Sequence, residues 1–482
     1  MEAVAGLDIA PPAELAVGKG NAFPLAGFCY HPKARIRSLG VSVGGAVTTV
    51  RRYGLPRIDV YESTLRNSHG GDPFHSGFVA TPRLPKVTEP TNLEVELLIT
   101  PRSGHRESIG LAQLRALPDV VPPREAADAR FPEAVGPRVA ICMAAFNPPT
   151  DLLRRQLDSI RAQTHPNWLC LISDESSDDH AAQRLREEVD GDDRFVVSRN
   201  DRGLGFYRNF ERAMSMVPRE ADFVALCDQD DFWQPYKLER LLERIGSATL
   251  AYSDARLITP RGELVSDSYW INRRNNWTNY GSLIMANSVT GAATLFRRTL
   301  LDHALPLPPY HYKAFHDHWL ATVALSLGSI AYVDEPLYDY VQHGTAVIGH
   351  AEANRRPKRA RVHLIERLGK PGKGSRIAYF YNWQQQRLTA EVLRLRCWDR
   401  MPRTKRHTLS RLLNADDRIA GLVWLLGRRA RRLWGHDETL DRELLYAYAL
   451  GRRRAVSAWT FGRRRPNRFL ARDQSVPAAP VE

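Results

Sequence analysis

Long hydrophobic runs are missing from this chain. No stretch of 18 apolar residues occurs in its 482 residues, which argues against a membrane-spanning helix. The opening residues, MEAVAGLDIAPPAELAVGKG, lack both a basic start and an apolar centre, so no secretory leader is expected there. Cysteine is scarce: Cys29, Cys142, Cys170, Cys227 and Cys397 are odd in number and far apart. That spacing argues against a disulfide framework or a zinc site and fits a reduced, cytoplasmic chain. GKPGKGS, near Gly372, has neither the preceding strand nor the spacing of a phosphate loop. A hydrolase nucleophile elbow is also missing. Internal repeats are absent.

Positive charge is plentiful but confined. The chain carries +14, while residues 351–482 hold 31 Lys/Arg against 12 Asp/Glu, a net of +19. The 350 residues before them are therefore net negative, at −5. Any polyanion or anionic surface is a partner of the last third alone. Nucleic acid is not expected as a partner, because the acidic clusters described below repel phosphate unless a metal intervenes.

The pattern changes three times along the chain. Residues 1–117 read as β-structure: LGVSVGGAVTTV alternates Leu39, Val41 and Val43 and then turns at Gly44–Gly45, and NLEVELLIT alternates Leu93, Val95, Leu97 and Ile99. With no helical stretch of any length between them, a small β-sandwich is expected. Residues 118–137 form a proline-rich linker. From Arg138, unalternated apolar strands (RVAICMAAF, WLCLIS, RFVVSR, DFVALC) alternate with amphipathic helices, the first with Thr150 as its expected N-cap. This is the signature of an α/β domain with a parallel-dominated sheet covered on both faces, over 138–349. Residues 350–482 are expected to be basic and helical. Ile419 to Gly427 is an apolar run too short to span a bilayer but able to lie in its interface.

In α/β sheets of this kind, ligands bind at the carboxyl ends of the strands. There the sequence places AFNPP, SDESSDD and ALCDQDDFW. Asp228 and Asp230, two apart on a loop leaving a strand, can turn to one hard divalent cation such as Mg²⁺ or Mn²⁺. A solvated acidic turn is the plainer reading, and the strand-end position argues against it. A calcium hand is excluded, since DQDDFWQPYKLE lacks glycine at its sixth position. Asp174 ends the second strand, where it either accepts the N3–H of uracil or thymine or caps the next helix. Arg208 and Asn209 open a helix after Gly203 and Gly205, in reach of a pyrophosphate or ribose. Asp317 begins the helical run FHDHWLATVALSLG and is either a partner of the helix dipole or a general base. Thr290 and Gly291 allow close backbone approach to an acceptor. Trp233 and Trp319 are candidate sugar platforms, although tryptophan is more often core.

AAFNPP, SDESSDD, NDRGLGFYRN and CDQDDFW, in this order, resemble the nucleotide-binding half of the inverting family 2 glycosyltransferases, over about 138–349. CDQDDFW, FHDHWLA and QHGTAVIG are most similar to the bacterial rhamnosyltransferase-like branch. The resemblance implies a GT-A fold and a Mn²⁺ or Mg²⁺ cofactor held by Asp228, Asp230 and His343. It implies a dTDP- or UDP-linked donor met by Asn147, Asp174, Arg208, Asn209, Asp228 and Gln229. Asp317 is then the catalytic base, with an acceptor side of Trp233, Thr290, Gly291, His316 and Trp319. The acceptor would be a cell-surface or lipid-linked glycan, and the basic region could bind an anionic membrane from the cytoplasmic side. Two departures bear on donor or acceptor choice: His318 stands where the branch more often has Trp, and Thr345 or Ala346 where it has Asn. A sugar nucleotidyltransferase is the rival enzyme, but AAFNPPTD has none of the basic, glycine-rich character of a triphosphate loop. A non-catalytic glycan-binding protein is the other alternative, and it would have no need of Asp317.

Overall fold

The computed structural model describes residues 2–64, 72–102, 104–270, 275–310, 314–342, 378–416, 418–434 and 442–451. The N-terminal third holds a two-stranded pair, Asn21–Ala22 with Arg83–Leu84, and two large antiparallel-dominated sheets. One has four strands in the order Val4–Ile9, Leu25–Tyr30, Gly77–Ala80, Arg52–Leu55. The other has five: Glu14–Ala16, Glu107–Leu117, Thr91–Pro101, Ile36–Val43, Ala46–Thr49. Side chains from both, among them Leu25, Phe78, Val41, Leu97 and Ile99, share one apolar cluster. The Gly44–Gly45 hairpin is present, with Val43 opposite Ala46 and both glycines at positive φ, as a tight turn between twisted strands requires. A short helix, Ile58–Thr64, interrupts the β-structure where no helix was expected.

The α/β part is built on a nine-stranded sheet. Four strands lie parallel in the order Phe195–Arg199, Trp168–Asp174, Val139–Ala145, Phe223–Asp228. They are apolar until their carboxyl ends because helices cover both faces. Beyond Asp228 the sheet becomes mixed. Thr294–Arg297 runs antiparallel to both its neighbours, and Leu250–Ile258 then pairs parallel with the long strand Ile330–Val341. Phe232–Trp233 closes the edge antiparallel. Six of the nine strands share one direction, but Thr294–Arg297, Phe232–Trp233 and Leu264–Ser266 run against them, so the expected parallel-dominated sheet is a mixed one. Thr150 is also corrected: it is the first residue of the helix Thr150–Arg161, whose N-cap is Pro149 and receives no side-chain hydrogen bond.

The C-terminal helices pack on this core. Gln384–Cys397 buries Leu388, Val392 and Leu393, and Arg403–Asn414 buries Leu409, Leu412 and Leu413. Arg396 is buried and donates to the carbonyls of Gly20 (2.6 Å), Ala304 (3.1 Å) and Pro306 (2.6 Å), so one guanidinium joins three separate segments. Lys405 Nζ donates to the Leu325 and Gly328 carbonyls, at 2.5 and 2.7 Å, and so complements the C-terminal end of the helix His316–Leu327.

Candidate active site

Register brings the strand ends together. Ala145 lies beside Asp174, Ala144 beside Asp228, and Asp174 beside Arg199. Three short loops leaving these strands form the floor of the site. Asn147, at φ 41°, sits in the left-handed region that asparagine tolerates better than most residues. Its N–H donates to Ser177 Oγ (2.8 Å), and its Oδ1 accepts from the Asp178 N–H (2.9 Å). The Gln229 amide exchanges hydrogen bonds with the Phe146 N–H (2.7 Å) and carbonyl (3.2 Å), which fastens the acidic loop to the first strand's exit. Asn147 and Gln229 thus shape the backbone of the site.

Asp174 is buried. Its Oδ1 accepts from the Ser177 N–H at 3.2 Å, while its Oδ2 accepts no hydrogen bond, with Arg199 Nε 3.8 Å away. The capping alternative for this residue does not hold, because Asp178 caps the following helix by accepting from the Ala181 N–H (2.9 Å). A buried carboxylate oxygen with an open acceptor position needs a donor to be satisfied.

The acidic loop and the helix His316–Leu327 meet across the strand ends. Burial, followed by the charges of Asp230 and Asp317, pushes the Asp228 carboxyl up to about 7, and Lys237 opposes that shift. Asp317 is pushed up to about 7 by burial, partly offset by hydrogen bonds from the His318 N–H (2.6 Å) and the Gly291 N–H (3.2 Å). Asp228, Asp230 and Asp317 therefore belong to one electrostatic cluster. Asp231 is fully buried, with Oδ1 accepting from the Val341 N–H (3.2 Å), and burial followed by the charges of Asp228 and Asp230 pushes its carboxyl up as well. Gly291 is required for this closeness, since a Cβ there would lie 2.9 Å from His316 Nε2 and 3.5 Å from Asp317 Cβ.

Several sequence-based assignments change. Arg208 is held by Glu211, three residues on, at 2.7 Å and by the Leu307 carbonyl at 3.1 Å, so its charge is already paired within its own helix. Asn209 is buried and donates to the Ala145 carbonyl (3.1 Å), fixing the first strand's end. Trp233 has no exposed surface, and the Lys237 ammonium covers its ring at 3.4 Å, so it offers no face to a sugar. Trp319 is likewise core, its Nε1–H donating to the Ala304 carbonyl at 2.8 Å. His316 is buried and stacks on Phe210 at 3.7 Å; burial pushes it down to about 3, and neither ring nitrogen has a hydrogen-bond partner. The Thr290 carbonyl accepts from the Ala293 N–H (3.1 Å), which closes the turn around Gly291. His318 is not a free site group either, for its Nε2 lies 2.6 Å from the Leu283 carbonyl. His343 lies outside the described residues.

One residue was missed. Lys237 is fully buried and donates to the Ala292 carbonyl at 2.5 Å; burial pushes it down to about 7. The signal was present, because Lys237, Leu241 and Ile245 fall at i, i+4 and i+8, which puts a lysine on the apolar stripe of its helix.

The donor set suits a hard divalent cation: Asp230 stands two residues from Asp228, whose charged form is disfavoured by burial and by its carboxylate neighbours, so a cation would relieve the pair. Among the described residues, no group of three His, Cys, Asp or Glu side chains gathers as a metal cluster.

Residues 140–301 match the family model Glycosyl transferase family 2. The chain is 26% identical over 227 residues to "Putative glycosyltransferase EpsH" of Bacillus subtilis (strain 168), covering 44% of this chain and 63% of that one. It is 30% identical over 121 residues to "Putative teichuronic acid biosynthesis glycosyltransferase TuaG" of the same strain, covering 24% and 45%. Against S. aureus TarS 1–349 in complex with UDP-GlcNAc, identity is 13%, coverage is 66% of this chain and 92% of that one, and the TM-score is 0.37. The chain thus spans less than two thirds of either curated relative. Residues 140–301 are thus similar to the family 2 glycosyltransferases, within a chain that continues on both sides of them.

Proposed function

We propose that this chain transfers a sugar from a pyrimidine nucleoside diphosphate donor to an acceptor hydroxyl, with inversion at the sugar carbon. The observation that carries the proposal is the meeting of two opposed carboxylate groups at the strand ends. Asp228 and Asp230 lie on the loop leaving one strand, and Asp317 comes from a later helix close enough to raise the Asp228 carboxyl. A direct displacement needs these two sides. One neutralises the departing diphosphate, and the other takes the acceptor proton as the new bond forms.

Asp228 and Asp230 would hold Mn²⁺ or Mg²⁺, with His343 as a further ligand. When bound, the cation neutralises charge on the leaving diphosphate. Asp174 receives the base N3–H at Oδ2, which accepts no hydrogen bond from the described residues. Asp317, held by the N–H groups of Gly291 and His318, takes the acceptor proton. Arg208 and Asn209 support the floor instead of touching the donor. Of donors in this class, dTDP-rhamnose is the one that the CDQDDFW and FHDHWLA segments favour, and the acceptor class is a cell-surface or lipid-linked glycan. Residues 1–117 are read as an accessory β-sandwich and 350–482 as a basic helical extension.

The same reading places the enzyme on the inner face of the plasma membrane. No described helix is long and apolar enough to cross a membrane. Ile419, Val423 and Leu426, however, form an exposed apolar stripe on the helix Ile419–Gly427, flanked by the exposed Arg418 and Arg429. Apolar contact beside cations suits an anionic lipid surface.

A nucleotide panel tests the donor assignment. With Mn²⁺ present, UDP and dTDP should raise the melting temperature more than GDP or ADP, by mass action on the native state. Equal shifts for all four would remove Asp174 from its role. Turnover that persists undiminished in Asp228→Ala/Asp230→Ala would remove the metal pair.

A further inference from the structure

We infer that Lys237 is a positioning residue for this transfer: its buried ammonium ties the loop carrying Asp228 and Asp230 to the turn that holds Asp317. The inference rests on the transferase reading above, but on different residues. Lys237 opens the helix Lys237–Ile245 and points inward with Leu238, Leu241 and Ile245. A leucine or methionine would fill that stripe without desolvating a charge, so an ammonium there needs compensation from what surrounds it. Three contacts supply it. Nζ donates to the Ala292 carbonyl at 2.5 Å, stands 3.4 Å over the Trp233 ring, and lies 5.0 Å from the Tyr338 ring. The carboxyls of Asp231 and Asp228 and the thiol of Cys227 lie within its electrostatic reach.

Each contact belongs to a different part of the site. Trp233 ends the acidic loop and pairs with Tyr338 on the long strand. Ala292 adjoins Gly291, whose N–H holds Asp317 Oδ2. A continuous path thus runs from the acidic loop through Trp233 and Lys237 to the Gly291–Ala292 turn and Asp317. The leaving-group side and the proton-accepting side come from segments about 90 residues apart in sequence, from Asp228 to Asp317, and Lys237 fixes their spacing. The same positive charge eases the proximity of Asp228 and Asp231.

The test compares wild-type enzyme with Lys237→Met and Lys237→Gln for melting temperature, binding of UDP or dTDP with Mn²⁺, and kcat separately from donor KM. Both variants should bind nucleotide as the wild type does. In Lys237→Met, kcat should fall on the order of 10²-fold, the scale of a small misplacement of reacting groups. Lys237→Gln can still donate to the Ala292 carbonyl, so it should recover part of that loss and is the informative variant if Lys237→Met does not fold. Wild-type kcat in a folded Lys237→Met or Lys237→Gln overturns the inference. So does parallel loss of nucleotide binding, which would make Lys237 part of the donor site. A wild-type enzyme that turns over no nucleotide sugar would instead defeat the underlying transferase reading.

Discussion

Asp317 has the properties a general base needs near neutral pH. Burial pushes it up to about 7, and two backbone N–H groups keep it oriented. Transfer should therefore rise with pH through about 7 as the carboxyl loses its proton. Stability should run the opposite way. Between the ordinary carboxylate range and about 7, the folded state keeps a proton that the unfolded chain has released. The ligand-free protein thus loses stability as pH rises across that window. Melting curves from acid to mildly alkaline pH should show the decline, and Asp317→Asn, which cannot ionise, should make it shallower, leaving the share that Asp228, also pushed up to about 7, contributes. Asp174 makes a separate prediction. Asp174→Ala should weaken UDP or dTDP binding by about 1–3 kcal/mol, the scale of one lost hydrogen bond at a buried site. Calorimetric titration would show it, with purine nucleotides unaffected.

Among the elements of the site, the turn at Gly291 has little room for change. A methyl group there meets His316 Nε2 at 2.9 Å, so Gly291→Ala must displace either the turn or the base helix. Overpacking of this kind typically costs 1–3 kcal/mol. We expect a lower melting temperature together with slower transfer, because the Gly291 N–H and Asp317 move as a unit. The four parallel strands and their helices were legible in sequence, since apolar runs bounded by loop residues leave few alternatives. The placement of Asp174, Asp228 and Asp317 was legible too, because carboxylates at a strand end or helix start are conspicuous. The mixed half of the sheet was not, because strand direction depends on the distant pairing of Thr294–Arg297 with two neighbours. Arg208 misled for a local reason: the glutamate one helical turn later captures it. Trp233 misled because its cover, Lys237, comes from the next helix.

At the scale of the whole molecule, the described basic residues of the C-terminal region point two ways. Arg396 and Lys405 face inward and bind the core, whereas Arg418 and Arg429 face outward beside the apolar stripe. Arg396→Met would leave the carbonyls of Gly20, Ala304 and Pro306 without this donor and should destabilise the fold by about 3 kcal/mol or more, measurable by denaturant titration. Val423→Asp should fold normally but sediment less with anionic vesicles, and added salt should weaken sedimentation of the unaltered chain. Salt-insensitive or absent sedimentation would leave the stripe without its lipid partner. The central claim is that two opposed carboxylate groups, one for the leaving diphosphate and one for the acceptor proton, make this molecule a transferase. The most direct measurement is sugar transfer from the donor that the nucleotide panel selects, by wild-type enzyme and Asp317→Asn side by side with Mn²⁺, with donor affinity determined for both. The account predicts equal donor affinity and a transfer rate lower by about 10²- to 10⁴-fold in Asp317→Asn, the usual cost of losing a general base. A folded Asp317→Asn enzyme that transfers at the wild-type rate would contradict it.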